Sequence, residues 1–420
     1  MTTTPAKRLL QAKLRERGVR SFGAEPLLPG VSGLLKADRP EARLATRLAF
    51  LVAGFGIACW APLVPFAKER LQVDDGVMGL LLLCIGMGSL STMFAAGAVS
   101  GRFGSRPVIL AGGFGLAALL PLLGVAGSPA ALGLTLFAFG AALGSLDVGM
   151  NIHAVEVERA AAAPLMSGFH ALFSVGGFAG ATAITFLLSA NVRPFASTLL
   201  ASLLMAIAMV LAAPRLLHAP HSKKAPLIVA PQGIVLLLAA LTMVMFLVEG
   251  AILDWSALLV TAKGLVSKAQ GGLGYSIFAI AMTAGRFGGD FVASRIGDRA
   301  ILFWGGLTTM AGFALLLVAP IPAVAMSGFL LIGLGASNIV PVLFRGAGAQ
   351  RAMPTDLAVA AIATAGYAGE LVGPAAIGFI AKAAGLPVAF WLLAALVGAV
   401  VLSARAATAP QTRKRTAHED

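Results

Sequence analysis

Asp147, Asn151 and His170 fall within GSLDVGMNIHAVEVERAAAAPLMSGFHALFSVGG. The flanks of this stretch, from about 129 to 189, are apolar enough to lie in lipid. An ionisable side chain there is costly and marks a functional site unless it is paired. Asn151 follows Asp147 by four residues, which puts amide and carboxylate on one helical face. The stretch reads as two antiparallel helices joined by a loop that contains Glu156, Glu158 and Arg159. With the first helix ending near His153 and the second starting near Pro164, Asp147 and His170 each lie roughly 9 Å inside a helix end at 1.5 Å per residue. Carboxylate, amide and imidazole then share a depth and face a common cavity. A carboxylate and an imidazole in that position can exchange protons, because the unperturbed imidazole pKa is about 6.5. The same trio also reads as a satisfied polar cluster that only locks two helices together.

Other polar groups interrupt apolar runs. FLVEGAILDWSALL holds Glu249 and Asp254, five residues apart and so on different faces. Glu249 is the deeper of the two, and Asp254 falls either at the membrane interface or in a site. Trp60 and Trp255 are either interfacial anchors or rings that stack on a sugar at an outer gate. Asn338 is followed by Pro341, and proline in a spanning helix frees a carbonyl and permits a kink. Tyr367 and Glu370 lie in GYAGELVGP at mid-membrane position, where a carboxylate is either paired or functional. Asp147, His170 and Glu249 are the proton-handling candidates. Asn151, Asn338, Trp60, Asp254, Trp255, Tyr367 and Glu370 are the solute-binding candidates. Arg286 and Asp290, one turn apart, read as an i,i+4 ion pair.

Chemistry of other kinds is missing from the sequence. There is no P-loop, no His/Cys cluster with metal spacing, and no Ser-His-Asp arrangement. The expectation is a protein that is not an enzyme and holds no cofactor or metal. Any concentrative work would then draw on an ion gradient, with protons favoured because the buried groups titrate.

The elements that position these residues follow from composition. The mean hydropathy is +0.91 and 58% of residues are hydrophobic, which excludes an ordinary soluble domain. The net charge of +13 is not a nucleic-acid signal, because the cations cluster in loops and tails. Cys59 and Cys84 have no paired spacing and suggest no disulfide framework. Residues 1–44 form a basic tail in which KRLLQAKLRERG is either an amphipathic surface helix or a solvated arm. No secretory leader is present, because no apolar core follows the early charges. Twelve apolar segments come next, at about 45–67, 76–99, 107–126, 129–153, 164–190, 194–213, 232–259, 269–291, 299–319, 321–345, 355–381 and 386–404. Each has roughly the 20 residues that a bilayer demands. Residues 214–231 link two halves (45–213 and 232–405), and 406–420 form a second tail.

With both termini in the cytoplasm, one side receives Arg102, Arg106, Arg159, Arg215, Arg295, Arg299, Arg345, Arg351 and the tails. The other side receives Lys68, Arg70, Arg193, Lys263, Lys268 and Lys382. About four-fifths of the cations fall inside, as the positive-inside rule requires. The expected location is the inner or plasma membrane.

The halves repeat. GRFGSR at 101–106 recurs as SRIGDR at 294–299, and LGSLD at 143–147 as LGASN at 334–338. Trp60, Ala61, Leu63 and Lys68 match Trp255, Ser256, Leu258 and Lys263, and Gly180, Ile184 and Phe186 match Gly373, Ile377 and Phe379. Four matches in order at nearly one offset mark a duplicated six-helix unit, the plan of a transporter with a midplane site between parallel repeats. The repeat breaks where Asp147 faces Asn338.

Between segments two and three the chain resembles the major facilitator superfamily signature G-x-x-x-D-[RK]-x-G-[RK]-[RK]. Here it reads Gly97-x-x-x-Gly101-Arg102-Phe103-Gly104-Ser105-Arg106, with Gly101 replacing the usual acid. The second copy holds Arg295, Gly297, Asp298 and Arg299. The resemblance covers about 45–405 and implies an all-α membrane fold of 12 transmembrane helices in two pseudo-symmetric six-helix bundles. It also implies an inner-gate charge network in which Glu158 and Arg159 oppose Arg102 and Arg106. LDVGMN and FHALFSVGG resemble the fucose-permease-like branch, in which an acid on segment four and an amide on segment five serve proton and sugar. Asp147 takes the first place, and His170 stands where the amide would be. The resemblance implies a proton-coupled symporter of a small polar solute such as a sugar, working as a monomer in the lipid bilayer with no nucleic-acid partner. A drug/proton antiporter and a transporter-like receptor are the competing readings.

Overall fold

Residues 40–161, 165–217 and 230–409 are described in this computed structural model. The basic tail up to residue 39, most of the linker, Pro164 and the end of the C-terminal tail lie outside the described residues. Every regular element among those described is helical.

Helix α1 (Pro40–Trp60) passes through a 3-10 turn at Ala61–Leu63 into α2 (Val64–Leu71). Five helices complete the first half: α3 (Asp75–Phe103), α4 (Ser105–Leu123), α5 (Pro129–Ala161), α6 (Met166–Ser189) and α7 (Pro194–Ala212). The second half holds α8 (Ile234–Ala262), α9 (Leu273–Phe287), α10 (Gly289–Val318), α11 (Pro322–Ala336), α12 (Ile339–Ala349), α13 (Thr355–Ala384) and α14 (Leu386–Ala407). Eleven stretches are long and apolar enough to cross a bilayer. The remaining crossing is α9, whose 15 residues span roughly 22 Å. The first turns of α10 lengthen it as far as Gly297, where the backbone leaves helical geometry. The chain therefore crosses twelve times, as the sequence implies.

Several boundaries differ from the sequence reading. The first helix begins at Pro40, where a proline at its first position needs no helical hydrogen-bond acceptor. The tenth crossing is broken at Ser337 and Asn338, between α11 and α12. The largest difference is in α5, which does not end at His153 but continues to Ala161. AVEVERAA contains good helix formers and no breaker, so its charges lie on a helix and not in a loop.

The duplication is visible as geometry. Gly104 (φ 85°, ψ 167°) and Gly297 (φ 78°, ψ 162°) adopt the same conformation at the same place in the two signature copies. Only glycine enters that region readily. Arg70 donates to the carbonyls of Leu123, Gly124 and Ala126 at the end of α4. In the second half Lys263 donates to the Leu317 carbonyl at the end of α10, at 2.6 Å. The packing repeats as well: α1 lies against α6 as α8 lies against α13, and α4 against α5 as α10 against α11.

Glycine permits the close approach that sets α5 in place. A Cβ added to Gly140 would lie 1.9 Å from the Ile85 carbonyl oxygen, and one added to Gly88 1.9 Å from that of Phe137. Backbones at this distance gain the packing energy that holds helices together in lipid. The halves meet where α3 packs on α13 and α6 on α9.

Gly104→Ala and Gly297→Ala are each expected to cost about 1–3 kcal/mol, seen as a lowered unfolding midpoint in detergent. Gly97→Ala serves as the control, because its added Cβ meets nothing within 4 Å, and it should unfold like the parent.

Candidate functional site

Asp147 lies 14 residues before the end of α5, roughly 21 Å at 1.5 Å per residue, and so near mid-depth. The Asn151 amide donates to its carboxylate at 3.2 Å and to its backbone carbonyl at 2.9 Å, so the expected shared face is present. His170 is not at the same depth. It lies four residues into α6, roughly 6 Å from that helix's start. Its ring stands edge-on to Phe50 of α1, centroids 5.0 Å apart. The common depth inferred from sequence fails because α5 overruns its expected end by two turns. In addition, α5 packs mainly on α3 and α4 while α6 packs on α1.

Asp147 instead faces the second half. Tyr367 and Glu370 of α13 are within its electrostatic reach. Glu370 also senses Glu249 and Asp254 of α8. Its Cγ lies 3.6 Å from the position a Cβ would take on Gly250, so the side chain lies along α8 where that helix lacks one. Glu370 is exposed and makes no hydrogen bond or ion pair to the described residues. Tyr367 is 47% exposed, and its ring is T-shaped to Phe246 at 6.0 Å. Tyr275 of α9 senses Glu249, Arg286, Glu370 and Asp254. Its hydroxyl lies 3.4 Å from where a Cβ on Gly177 of α6 would stand, which places it at the seam between the halves.

Arg286 bonds across to the neighbouring helix, and its expected i,i+4 pairing with Asp290 lies outside the described side chains. Its Nη2 donates to both oxygens of Glu249 at 3.3 Å, tying α9 to α8, and it faces His170 across the seam. The side chain of Asp290 lies outside the described residues. The sequence offered no signal for the Arg286–Glu249 pair, because 37 residues separate the partners.

Several expected ligands are committed elsewhere. Trp60 and Trp255 are 0% exposed, so neither is an interfacial anchor or open to a ligand in this conformation. Their indole N–H groups have no hydrogen-bond partner among the described residues. Asp254 is 7% exposed and roughly 12 Å inside the end of α8, well away from an interface. Asn338 donates to the Gly285 carbonyl of α9 at 2.9 Å and to Ser337 at 3.0 Å. It thereby stitches the break in the tenth crossing to α9.

The end of the molecule that carries the chain termini is organised by local bonds. Glu158 accepts from the N–H groups of Leu165 and Met166 at 2.7 and 2.6 Å, so it caps α6 and satisfies donors the helix start leaves over. Arg106 donates to the Ala213 carbonyl at 3.2 Å. Arg102 lies over Phe103 and Arg295 over Phe291, while Arg159 and Arg299 are exposed. The charge pair here joins Asp298 to Arg345 at 2.7 Å, inside the second half. His153, which the sequence reading used only as a boundary, is fully buried. Leu217 N–H donates to its Nε2 at 3.0 Å, and its Nδ1 lies 2.9 Å from Thr46 Oγ1. Thr46 gives its own proton to the Ala42 carbonyl, so His153 is neutral with its proton on Nδ1.

The opposite, far end is closed across the seam. Lys268 pairs with Glu69, and Lys382 with Asp74 at 2.9 Å, each pair joining the two halves. Lys68 pairs with Asp75 within the first half. Gly272 lies against Pro62 and Thr185, and Gly79 against Pro374. A cavity of about 910 Å³ outside this seal is lined by Lys68, Glu69, Asp74, Lys268 and Pro387, among others. Glu370, Arg286 and His170 are all exposed.

The family model of the Major Facilitator Superfamily matches residues 47–352. An uncharacterised MFS-type transporter of Yersinia pestis is 47% identical over 369 residues, covering 87% of this chain and 96% of the relative. Membrane protein MosC of Rhizobium meliloti is 32% identical over 362 residues, covering 86% and 88%. Among solved structures, a mutant form of the nucleoside transporter NupG aligns with a TM-score of 0.72 at 13% identity, over 87% of this chain and 100% of that one. At that identity the likeness is one of fold.

Each exposed sealing pair contributes about 0–1 kcal/mol, so Lys268→Ala with Lys382→Ala should shift the population toward a far-side-open state by up to about thirtyfold. Spin labels at Gln72 and the exposed Ala384 would record this as a longer distance. The Asp74 carboxyl is held below the usual range, first by the Val77 N–H and then by Lys382. Asp74 therefore stays charged through the ordinary carboxylate range, and its contribution is lost only as pH falls further.

Proposed function

The chain belongs to the Major Facilitator Superfamily, and from that premise we propose that this multi-pass membrane transporter is a proton-coupled symporter of a small polar solute such as a sugar. One observation carries the reading. Asp147 of the first half and Glu370 and Glu249 of the second meet at mid-depth on the seam along which the halves must part. A proton that neutralises such a group changes the cost of closing the seam, because an unpaired charge excluded from water is costly.

Asp147 is the proton site. It has one amide donor, Asn151, and no cation bonded to it among the described residues, so protonation leaves no partner stranded. Glu249 is occupied by Arg286 and acts as that guanidinium's counter-ion, released when solute engages Arg286. His170 lies on the route from the terminus side and passes protons inward. Asn151 and Tyr367 offer the solute hydrogen bonds. The fucose-permease-like character of LDVGMN supports a sugar. The nucleoside transporter among the fold neighbours adds nucleosides to the solutes to be tried.

The terminus side is cytoplasmic in this reading. It carries Arg102, Arg159, Arg295 and Arg299 in exposed positions, whereas on the far side Lys68, Lys268 and Lys382 pair with acids, Arg70 and Lys263 bond to carbonyls, and Arg193 is exposed. The protein then sits in the inner or plasma membrane and faces the cytoplasm in the conformation described. The proton gradient is the energy source, no cofactor takes part, and one chain suffices.

The test is electrogenic current from purified protein in proteoliposomes pulsed with sugars, polyols, nucleosides and small acids. Current with one class, lost in Asp147→Asn while solute exchange persists, is the expected result. Loss of both exchange and current would remove Asp147 from the role of proton carrier. Silence across the panel from folded protein would favour efflux or sensing.

A further inference from the structure

The eighth and tenth crossings are both interrupted, and the two interruptions touch. The eighth stops at Gly288, between α9 and the first turns of α10. The tenth stops at Ser337 and Asn338, between α11 and α12. The cause in the tenth is local, because Pro341 has no N–H to give to the Ser337 carbonyl. One side chain joins the two places: Asn338 donates to the Gly285 carbonyl at 2.9 Å. They also press on each other. A Cβ on Gly289 would lie 1.9 Å from Asn338 Oδ1, and one on Gly285 2.3 Å from Ser337 Oγ. On one side of this junction α9 is tied to α8 by Arg286 and Glu249. On the other, toward the terminus side, run residues 289–296 and α12. Arg345 of α12 pairs with Asp298, just past the Gly297 turn that ends the other segment. Helix α12 packs chiefly on α8, α10 and α13, all of the second half. The first half is built otherwise. Thr92 stands nine residues before 101 as Gly285 stands nine before 294. It too bonds across, donating to the Ala141 carbonyl at 2.9 Å, yet α3 and α5 run unbroken through the matching positions.

We propose that residues 289–296 and 339–349 form one flap, which bends at the Gly285–Gly289 and Ser337–Asn338 junction to close the terminus-side end of the path. It concerns how the path is shut, whatever solute or ion uses it. A helix interrupted by glycine or proline bends where it is broken. Two helices that break together and share a bond there bend together. Helix α9 lies along α6, so its extension, residues 289–296, faces the start of α6, which Glu158 of α5 caps. The unbroken α5 and the capped α6 are the fixed surface on which the flap closes. Closure is therefore asymmetric, with the moving part in the second half and the stop in the first. The 11 residues of α12 measure roughly 16 Å, so a bend of about 20° carries the tip about 5 Å.

Spin-label distances in the full chain carrying Cys59→Ala and Cys84→Ala test this. Labels on the exposed Ala349 and Arg405 both lie in the second half, on α12 and α14, so rocking of rigid halves leaves their separation alone. Labels on Ala349 and Arg159 span the halves. In Lys268→Ala with Lys382→Ala the Ala349–Arg405 distance is expected to change by about 5 Å, and the Ala349–Arg159 distance to shorten. Asn338→Ala in the otherwise unchanged chain should broaden the Ala349–Arg405 distribution. Thr92→Ala should leave the distribution between labels on Arg102 and Arg159 as narrow as in the parent. Should Asn338→Ala fail to fold, Pro341→Ala returns a donor to the Ser337 carbonyl and should narrow the Ala349–Arg405 distribution. An Ala349–Arg405 distance that stays fixed while the Gln72–Ala384 distance lengthens would overturn the proposal. So would a distribution that Asn338→Ala leaves unmoved, or one that Pro341→Ala leaves as wide as in the parent. If loss of the two lysines does not open the far end, the Asn338 and Pro341 comparisons decide alone.

Discussion

A carboxylate at mid-depth in a bilayer must find a cation, a hydrogen-bond donor or water, because hydrocarbon provides none of them. Four acids in this chain face that demand within one small region, and each meets it differently. Glu249 takes a guanidinium, Asp147 takes an amide one turn away, Asp254 is buried beside another acid, and Glu370 reaches water. The remaining architecture can be read as what makes those four solutions compatible. Helices stay close enough for an arginine of α9 to reach α8, and Gly250 leaves room for Glu370 to lie along its neighbour.

Duplication supplies the frame and its breakdown supplies the chemistry. Structural positions are kept in both halves: the turn glycines Gly104 and Gly297, and the cations Arg70 and Lys263 that cap the third and ninth crossings. The polar positions at mid-depth are not kept. Asp147 has Asn338 as its counterpart, and Asn338 spends its amide on a backbone carbonyl at a helix break. A symmetric pair of acids would give both halves the same charge state. The asymmetry leaves one half with an acid free to titrate and the other with a structural stitch.

The two ends of the molecule are held by different kinds of interaction. At the terminus side, Glu158 and His153 bond within the first half and Asp298 pairs within the second. At the far end two ion pairs, Lys268–Glu69 and Lys382–Asp74, cross between halves, and the latter is about half exposed at 56% and 46%. Exposed pairs of that kind are weak, which suits a closure that must open in every cycle. Buried bonds such as those of His153 cost about 1–3 kcal/mol to leave unmade, which suits a joint that does not open.

Hydropathy, the cation distribution and the repeat, read from sequence alone, implied twelve crossings and two halves, and the resemblance of residues 97–106 to the superfamily signature pointed to the family. Bilayer thickness and duplication impose one-dimensional patterns that survive in the order of residues. The i,i+4 bond of Asp147 and Asn151 was legible for the same reason, since it is local to one helix. The length of α5 was not, because charged residues at a helix end look like a loop until one sees that their bonds go to the next helix. Only the tertiary structure decided that His170 sits apart from Asp147, that Trp60 and Trp255 are buried, that Arg286 bonds to Glu249, and that Glu370 has no partner among the described residues. Each of these depends on which helix faces which across a bundle, and helix-to-helix contacts in lipid are chosen by the fit of small residues and by long-range pairing, neither of which leaves a period in the sequence.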